Sequence, residues 1–215
     1  KIALIGGLGR IGQVILKNLS KQYNFIIIDT GTSESLPVIH ADISDYPSLL
    51  NAIPKDTNII FDLSAHRIPE YVLRHKDFEI MKQTYIQGIY NIFEAAKTLG
   101  IKKIIYSSSI HVNGLAEKDG FSIKGKKINT SDYPKPDGIY GAMKLFGESV
   151  ARLYARRYQI KTICLRFGYI GGKNMFFKNL RNSRVILYHE DLTTIVKAAF
   201  ESNLQFGIYY AVSEN

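Results

Sequence analysis

KIALIGGLGRIGQVILKNL, residues 1–19, decides the fold of this chain. Four apolar residues, Ile2 to Ile5, read as a strand, and Gly6-Gly7-Leu8-Gly9-Arg10-Ile11-Gly12 follows at once with G-x-x-G-x-x-G spacing. Behind it Ile11, Val14, Ile15 and Leu19 recur at helical period. Glycine permits a tight turn whose backbone N–H groups approach an anion, and the helix N-terminus adds a partial positive charge. The spacing by itself is a weak signal. Placed between a strand and a helix, at the start of a βαβ unit, it becomes a dinucleotide fingerprint with Gly6, Gly9, Arg10, Ile11 and Gly12 around a pyrophosphate.

The same reading extends outward. Ile- and Leu-rich runs at 25–28, 58–63, 103–106 and 161–167 are too continuous for half-exposed strands and are expected as buried parallel ones. A helical period through Ile86, Ile89, Tyr90, Phe93 and Ala96 precedes the run at 103–106. A short strand is expected at 37–40, a helix at 46–52 opened by Asp and Ser, and a final strand at 207–212. Residues 114–137, rich in breakers and lysine, read as a long loop or hairpin; 139–158 reads as a helix with Met143, Phe146, Val150, Leu153 and Tyr154 along one face. Alternating strand and helix predict an α/β fold, a doubly wound parallel sheet of Rossmann type. Residues 1–168 are expected to form the nucleotide-binding domain with the catalytic groups. Residues 169–215 are expected to add a small, partial substrate lobe and the last sheet elements, without independent folding.

Composition narrows the function classes. With 215 residues, 46% hydrophobic and 22% charged, one large core is expected and disorder is not. The single cysteine, Cys164, excludes a disulfide framework and a cysteine-based zinc site, and no metal site is expected. There is neither a leader-like pattern in the first residues nor an apolar run near the roughly 20 residues of a membrane span, so a cytoplasmic protein without membrane contact is expected. The net charge of +9 suits an anionic partner. The cations are scattered, though, in Lys102-Lys103, Lys124/Lys126/Lys127, Arg152/Arg156/Arg157 and Lys173/Lys178/Arg181/Arg184, without aromatic interleaving. A nucleic-acid partner is therefore not expected.

Site chemistry clusters at the expected strand ends. Asp29 stands twenty residues past Gly9, where a carboxylate accepts from the adenosine ribose hydroxyls and repels a 2′-phosphate, favouring NAD over NADP. Arg10 is the opposing feature, since a guanidinium there tolerates that phosphate. Asp42 and Ile43 are placed to bracket the adenine; a helix cap is the other reading of Asp42. Tyr140 and Lys144, at i and i+4 on one helix, pair a phenol with a cation that stabilises its phenolate, which makes a general base. Lys144 is also suited to hold a ribose. The run Ser107-Ser108-Ser109-Ile110-His111 offers a hydroxyl, taken as Ser109, to a substrate oxygen, and His111 to a sugar hydroxyl.

Taken together, the glycine loop, Asp29, the S-S-S-x-x-V-x-G segment and Y-x-x-x-K resemble the extended short-chain dehydrogenase/reductase family, NAD-dependent epimerases and dehydratases included. The resemblance implies Ser109, Tyr140 and Lys144 as the catalytic serine, tyrosine and lysine, and Leu63-Ser64-Ala65 as a loop flanking the cofactor. Lys135-Pro136-Asp137-Gly138 before the tyrosine is similar to uronate dehydrogenases, which oxidise the anomeric carbon of a uronic acid with NAD. Three positions depart from these patterns: Ile110 replaces the subgroup's asparagine, Tyr85 stands where N-x-x-G expects asparagine, and Lys178 falls nearest the carboxylate-binding arginine. The implied activity is an NAD-dependent dehydrogenase of a free aldose or uronic acid, working as a homodimer. A nucleotide-sugar epimerase/dehydratase resembling UDP-glucose 4-epimerase, and a non-catalytic NAD(P)-binding sensor, stand as alternatives.

Overall fold

Burial on both faces explains the strands. In the computed structural model, which describes residues 1–66, 75–172 and 179–214, β1 (Ile2–Ile5) is buried along its whole length, as a central parallel strand must be. It is followed by α1 (Arg10–Leu19), β2 (Phe25–Asp29), β3 (Val38–His40), α2 (Tyr46–Ala52) and β4 (Ile59–Asp62). Next come α3 (His75–Lys82), a π-helical turn (Gln83–Gly88), α4 (Ile89–Leu99) and β5 (Lys103–Ser109). A 3-10 segment (Ile110–Ala116) leads into β6 (Glu117–Lys118), β7 (Phe121–Ser122) and α5 (Ile139–Arg157). The chain continues through β8 (Lys161–Phe167), β9 (Tyr169–Gly171), α6 (Leu180–Arg184), β10 (Ile186–Tyr188), α7 (His189–Glu201) and β11 (Phe206–Ala211).

The main sheet has seven strands in the order β11-β8-β5-β4-β1-β2-β3. Every pairing in it is parallel. The strand order reverses at β1, with β2 on one side and β4 on the other, which opens a crevice beyond their carboxyl ends. Helices cover both faces. On one side α2, α4 and α5 bury Leu49, Ile92, Phe93, Val150 and Tyr154 against the sheet. On the other, α1 and α7 bury Ile15, Leu19, Leu192, Val196 and Phe200, with the Phe200 ring edge-on to Phe61 at 5.5 Å. β9 and β10 form a separate two-stranded parallel pair.

The expected elements are all present, with differences at their edges. β5 runs on through all three serines, because β8 is long enough to pair with them out to Ser109 opposite Phe167. Residues 114–137 hold a hairpin, β6 to β7, turned by Asp119 and Gly120 at φ +53° and +80°; two left-handed residues in succession match the right-handed strand twist. Two residues of the expected apolar helix faces lie exposed: Leu153 of α5 at 53% and Tyr90 of α4 at 48%. In place of Leu153 the buried face of α5 carries Lys144, Gly147, Glu148 and Ala151. Gly147 is needed there because a Cβ would lie 2.1 Å from the Tyr106 hydroxyl oxygen.

Candidate functional site

The crevice at the strand-order reversal is a cleft of about 900 Å³ lined by the glycine loop, Asp29, Asp42 to Ser44 and Leu63 to His66. Backbone geometry explains two of its glycines. Gly6 has φ +75°, and a Cβ on it would meet the Leu63 carbonyl at 2.8 Å. A Cβ on Gly12 would lie 2.2 Å from the Gly7 carbonyl oxygen, so the first turn of α1 rests directly on the loop. Gly9 is the N-cap and offers no capping side chain, which leaves the helix N-terminus free to bind an anion. Arg10 is exposed beside it and Ile11 half-buried.

Asp29 closes the far edge of this cleft. Its Oδ2 accepts from the Leu8 N–H at 2.9 Å and its Oδ1 from the Gly31 N–H at 3.0 Å, so the carboxylate is fixed and retains lone pairs for ribose hydroxyls. Asp42 Oδ1 accepts from the Ser44 N–H and hydroxyl, both at 2.8 Å. Ile43 is buried beside it, and Asn91 of α4 donates to the Ile43 and Ser44 carbonyls at 2.8 and 3.1 Å. Asn91 thus anchors the loop from 48 residues away, a role its mid-helix position does not announce. The uncapped helix, the glycine cradle and the fixed carboxylate could hold a dinucleotide, its pyrophosphate against Gly6 to Gly12, a ribose against Asp29 and the adenine against Asp42 and Ile43. Leu63, Ser64 and Ala65 line the same cleft, with the Leu63–Ser64 backbone packed directly against Gly6.

β5 pairs with β4, which puts its carboxyl end next to the Leu63 to His66 edge of the cleft. Ser109 is buried there, its hydroxyl accepting from the His111 N–H at 3.3 Å and lying near enough to the Tyr140 phenol to ease its ionisation. Tyr140 is the second residue of α5, and Lys144 follows one turn later with 2% exposure. The ammonium donates to the Ser107 carbonyl at 2.7 Å. It lies 4.9, 5.2 and 5.8 Å from the ring centres of Tyr85, Tyr106 and Tyr140. The cation thus lies against the Tyr140 ring and makes no hydrogen bond to its hydroxyl. Burial pushes the Tyr140 pKa up to about 12, opposed by the Ser109 hydroxyl and reinforced by the Asp62 carboxylate. In this arrangement the phenol is held protonated, the reverse of the lowering that the spacing suggested. Burial also pushes Lys144 down to about 8, with Asp62 opposing.

Asp62, which pattern reading did not single out, is therefore part of the site. It ends β4, is 1% exposed, and directs Oδ1 to the Ser64 N–H and hydroxyl at 2.9 and 2.5 Å. Its Oδ2 has no hydrogen-bond partner among the described residues. Burial raises its pKa and the Lys144 charge opposes this. The available signal was an acid closing a strand of four residues. Tyr85, in the π-helical turn, completes the enclosure: its hydroxyl accepts from the His66 N–H at 3.0 Å and donates to the His66 carbonyl at 3.1 Å, with its ring edge-on to Tyr140 at 5.3 Å.

A second buried network ties α5 and β8 to β5. Glu148, one turn after Lys144, accepts from Arg166 Nε and Nη2, both at 2.8 Å, and from the Ser108 hydroxyl at 2.5 Å. Arg166 reaches the Tyr210 hydroxyl at 3.2 Å, which also accepts from Asn113 at 2.8 Å. On the open side, His111 lies edge-on to Tyr140 at 5.7 Å and meets Asp137 Oδ2 through Nδ1 at 2.7 Å. Lys178 lies outside the described residues. Among the described residues there is no cluster of His, Cys, Asp and Glu able to hold a metal, and no helix is long and apolar enough to cross a membrane.

Comparison with known proteins agrees with this geometry. The profile of a family described as NAD dependent epimerase/dehydratase matches residues 2–189. The uncharacterized protein YtbQ of Bacillus subtilis is 37% identical over 221 residues, covering 100% of this chain and 86% of its own length. A uronate dehydrogenase of Pseudomonas syringae pv. tomato is 27% identical, covering 100% of this chain and 75% of its own. Among solved structures, a glucuronic acid dehydrogenase from Chromohalobacter salexigens superposes with a TM-score of 0.82 at 25% identity, over 100% of this chain and 77% of the other.

Proposed function

The chain belongs to the NAD-dependent epimerase/dehydratase family, of the extended short-chain dehydrogenase/reductase type, and from that premise we propose that this oxidoreductase is a sugar dehydrogenase preferring NAD over NADP. Its substrate is a free uronic acid or aldose, oxidised at the anomeric carbon. The observation that carries the reading is the meeting of Ser109, Tyr140 and Lys144 at the carboxyl end of β5, beside the glycine-lined cleft. Relatives named as uronate dehydrogenases, matched along the whole chain, support a free sugar over a nucleotide sugar.

Bound nicotinamide supplies the hydride acceptor; the protein supplies position and proton transfer. Tyr140 Oη takes the proton of the sugar hydroxyl, and the neighbouring Ser109 hydroxyl donates to the substrate oxygen. Free protein holds Tyr140 as the phenol, so oxidation requires that proton to leave first. Lys144, held by the Ser107 carbonyl, is also placed toward a nicotinamide ribose. Asp29 disfavours a 2′-phosphate by charge, which is the ground for preferring NAD. Exposed Leu153 on α5 and Tyr90 on α4 suit a homodimer formed through these helices.

The test is nicotinamide absorbance at 340 nm, with NAD and then NADP, over a panel of uronic acids, neutral aldoses and nucleotide sugars. Sustained reduction of NAD by a free sugar is expected. Conversion of a nucleotide sugar without net reduction would replace this reading by an epimerase. Tight NAD binding with no turnover of anything would replace it by a sensor.

A further inference from the structure

His111 and Asp137 come from two loops that enter the site from opposite ends of the 110–138 segment, and two glycines let them close on each other. A Cβ on Gly114 would lie 2.0 Å from Asp137 Oδ2, and one on Gly141 would lie 2.3 Å from the His111 carbonyl oxygen. The contact is double. The Asp137 N–H donates to the His111 carbonyl at 3.3 Å, and Asp137 Oδ2 meets His111 Nδ1 at 2.7 Å. Arg181 of α6 approaches the same carboxylate oxygen at 4.0 Å from the far side and is itself paired with Glu117 of β6. The imidazole therefore cannot rotate without breaking a bond that four elements support.

An ionised carboxylate only accepts hydrogen bonds, so the Nδ1 facing it carries the proton. In a neutral imidazole that leaves Nε2 as an acceptor, on a ring whose centre lies edge-on 5.7 Å from that of Tyr140. We propose that Asp137 is a positioning residue that locks His111 in the Nδ1–H form, so that Nε2 accepts a hydrogen bond from the sugar hydroxyl next to the one held at Tyr140. This rests on the sugar dehydrogenase reading and deepens it: the substrate is a sugar with adjacent hydroxyls, and the second hydroxyl is read by the histidine.

Two measurements test it. The first is kcat/KM for the sugar turned over best, against its analogue lacking the adjacent hydroxyl, in the wild type, Asp137→Asn and His111→Gln. A neutral hydrogen bond lost from a closed site corresponds to roughly tenfold or more, so the wild type is expected to prefer the hydroxylated sugar by at least that ratio. In Asp137→Asn the preference is expected to fall to about threefold or less through a raised KM, with rates on the deoxy analogue unchanged and the thermal midpoint retained. His111→Gln, which leaves the Asp137 N–H contact to residue 111 in place, is expected to lose the preference as well. The second is the long-range ¹H–¹⁵N spectrum of the imidazoles at pH 8 without substrate, with His111→Gln identifying the signal. The Nδ1–H form is expected in the wild type and a mixture in Asp137→Asn.

A wild-type Nε2–H form, or a preference that survives Asp137→Asn, overturns the proposal. Failure of the wild type to turn over any sugar overturns it too, through the reading it rests on. The imidazole spectrum distinguishes that failure from a failure of the dyad.

Discussion

Lys144 carries a buried positive charge, and its cost is measurable without any substrate. The lysine ionises near 10.5 in the unfolded chain and is pushed down to about 8 in the fold, a gap equivalent to about 3 kcal/mol. Between those pH values the unfolded chain binds one more proton than the native state, so stability climbs with pH by about 1.4 kcal/mol per pH unit. Below pH 8 both states are charged and the native state bears the whole cost. The perturbation is Lys144→Met combined with Asp62→Asn, since removing the lysine alone would leave a buried carboxylate without its counter-charge. Urea unfolding followed by far-UV circular dichroism, in steps from about pH 7 to pH 10, reads the stability of both proteins.

The wild type is expected to gain about 3 kcal/mol relative to the double variant across that window, and other titrations common to both cancel in the difference. The upper limit matters because Tyr85, Tyr106 and Tyr140 are all shifted upward, and ionisation of the unfolded phenols near 10 then lowers stability. Asp62→Asn alone is expected to start the climb below pH 8, because the carboxylate is what raises Lys144 against burial. Parallel curves for the wild type and the double variant would refute the buried charge. A window unmoved by Asp62→Asn would refute the pairing.

Tyr140→Phe is expected to lower kcat/KM by about a hundred- to ten-thousand-fold in steady-state assays, with the thermal midpoint nearly unchanged. Glu148→Gln leaves the Arg166 guanidinium buried without its counter-charge, so urea unfolding is expected to show a loss of about 3–5 kcal/mol, much of it recovered by adding Arg166→Met. Gly12→Ala places a Cβ 2.2 Å from the Gly7 carbonyl oxygen and is expected to abolish NAD binding in titration calorimetry. Asp29→Ser removes the charge that opposes a 2′-phosphate, and the ratio of NAD to NADP affinity is expected to narrow by about tenfold or more.

Those predictions rest on two kinds of information. The bounds of β1, α2 and β8 and the glycine turn into α1 were legible in the chain itself, because apolar period and glycine freedom act between residues a few positions apart. The same holds for the pairing of Tyr140 with Lys144, which one helical turn imposes. What that pairing does chemically was not legible. Whether the ammonium meets the phenol's oxygen or its ring depends on the Ser107 carbonyl, and the cost of the charge depends on Asp62, Tyr85 and Tyr106, all brought in by other strands and helices. Asp137 entered the sequence reading only through a resemblance, and folding set it against His111. Nothing in the sequence pattern joined Glu148, Arg166 and Tyr210, which lie on a helix and two strands and meet only in the folded chain. Local pattern determines secondary structure and the phosphate loop. Only the tertiary structure decides ionisation and orientation, since both depend on desolvation and on charges distant in sequence.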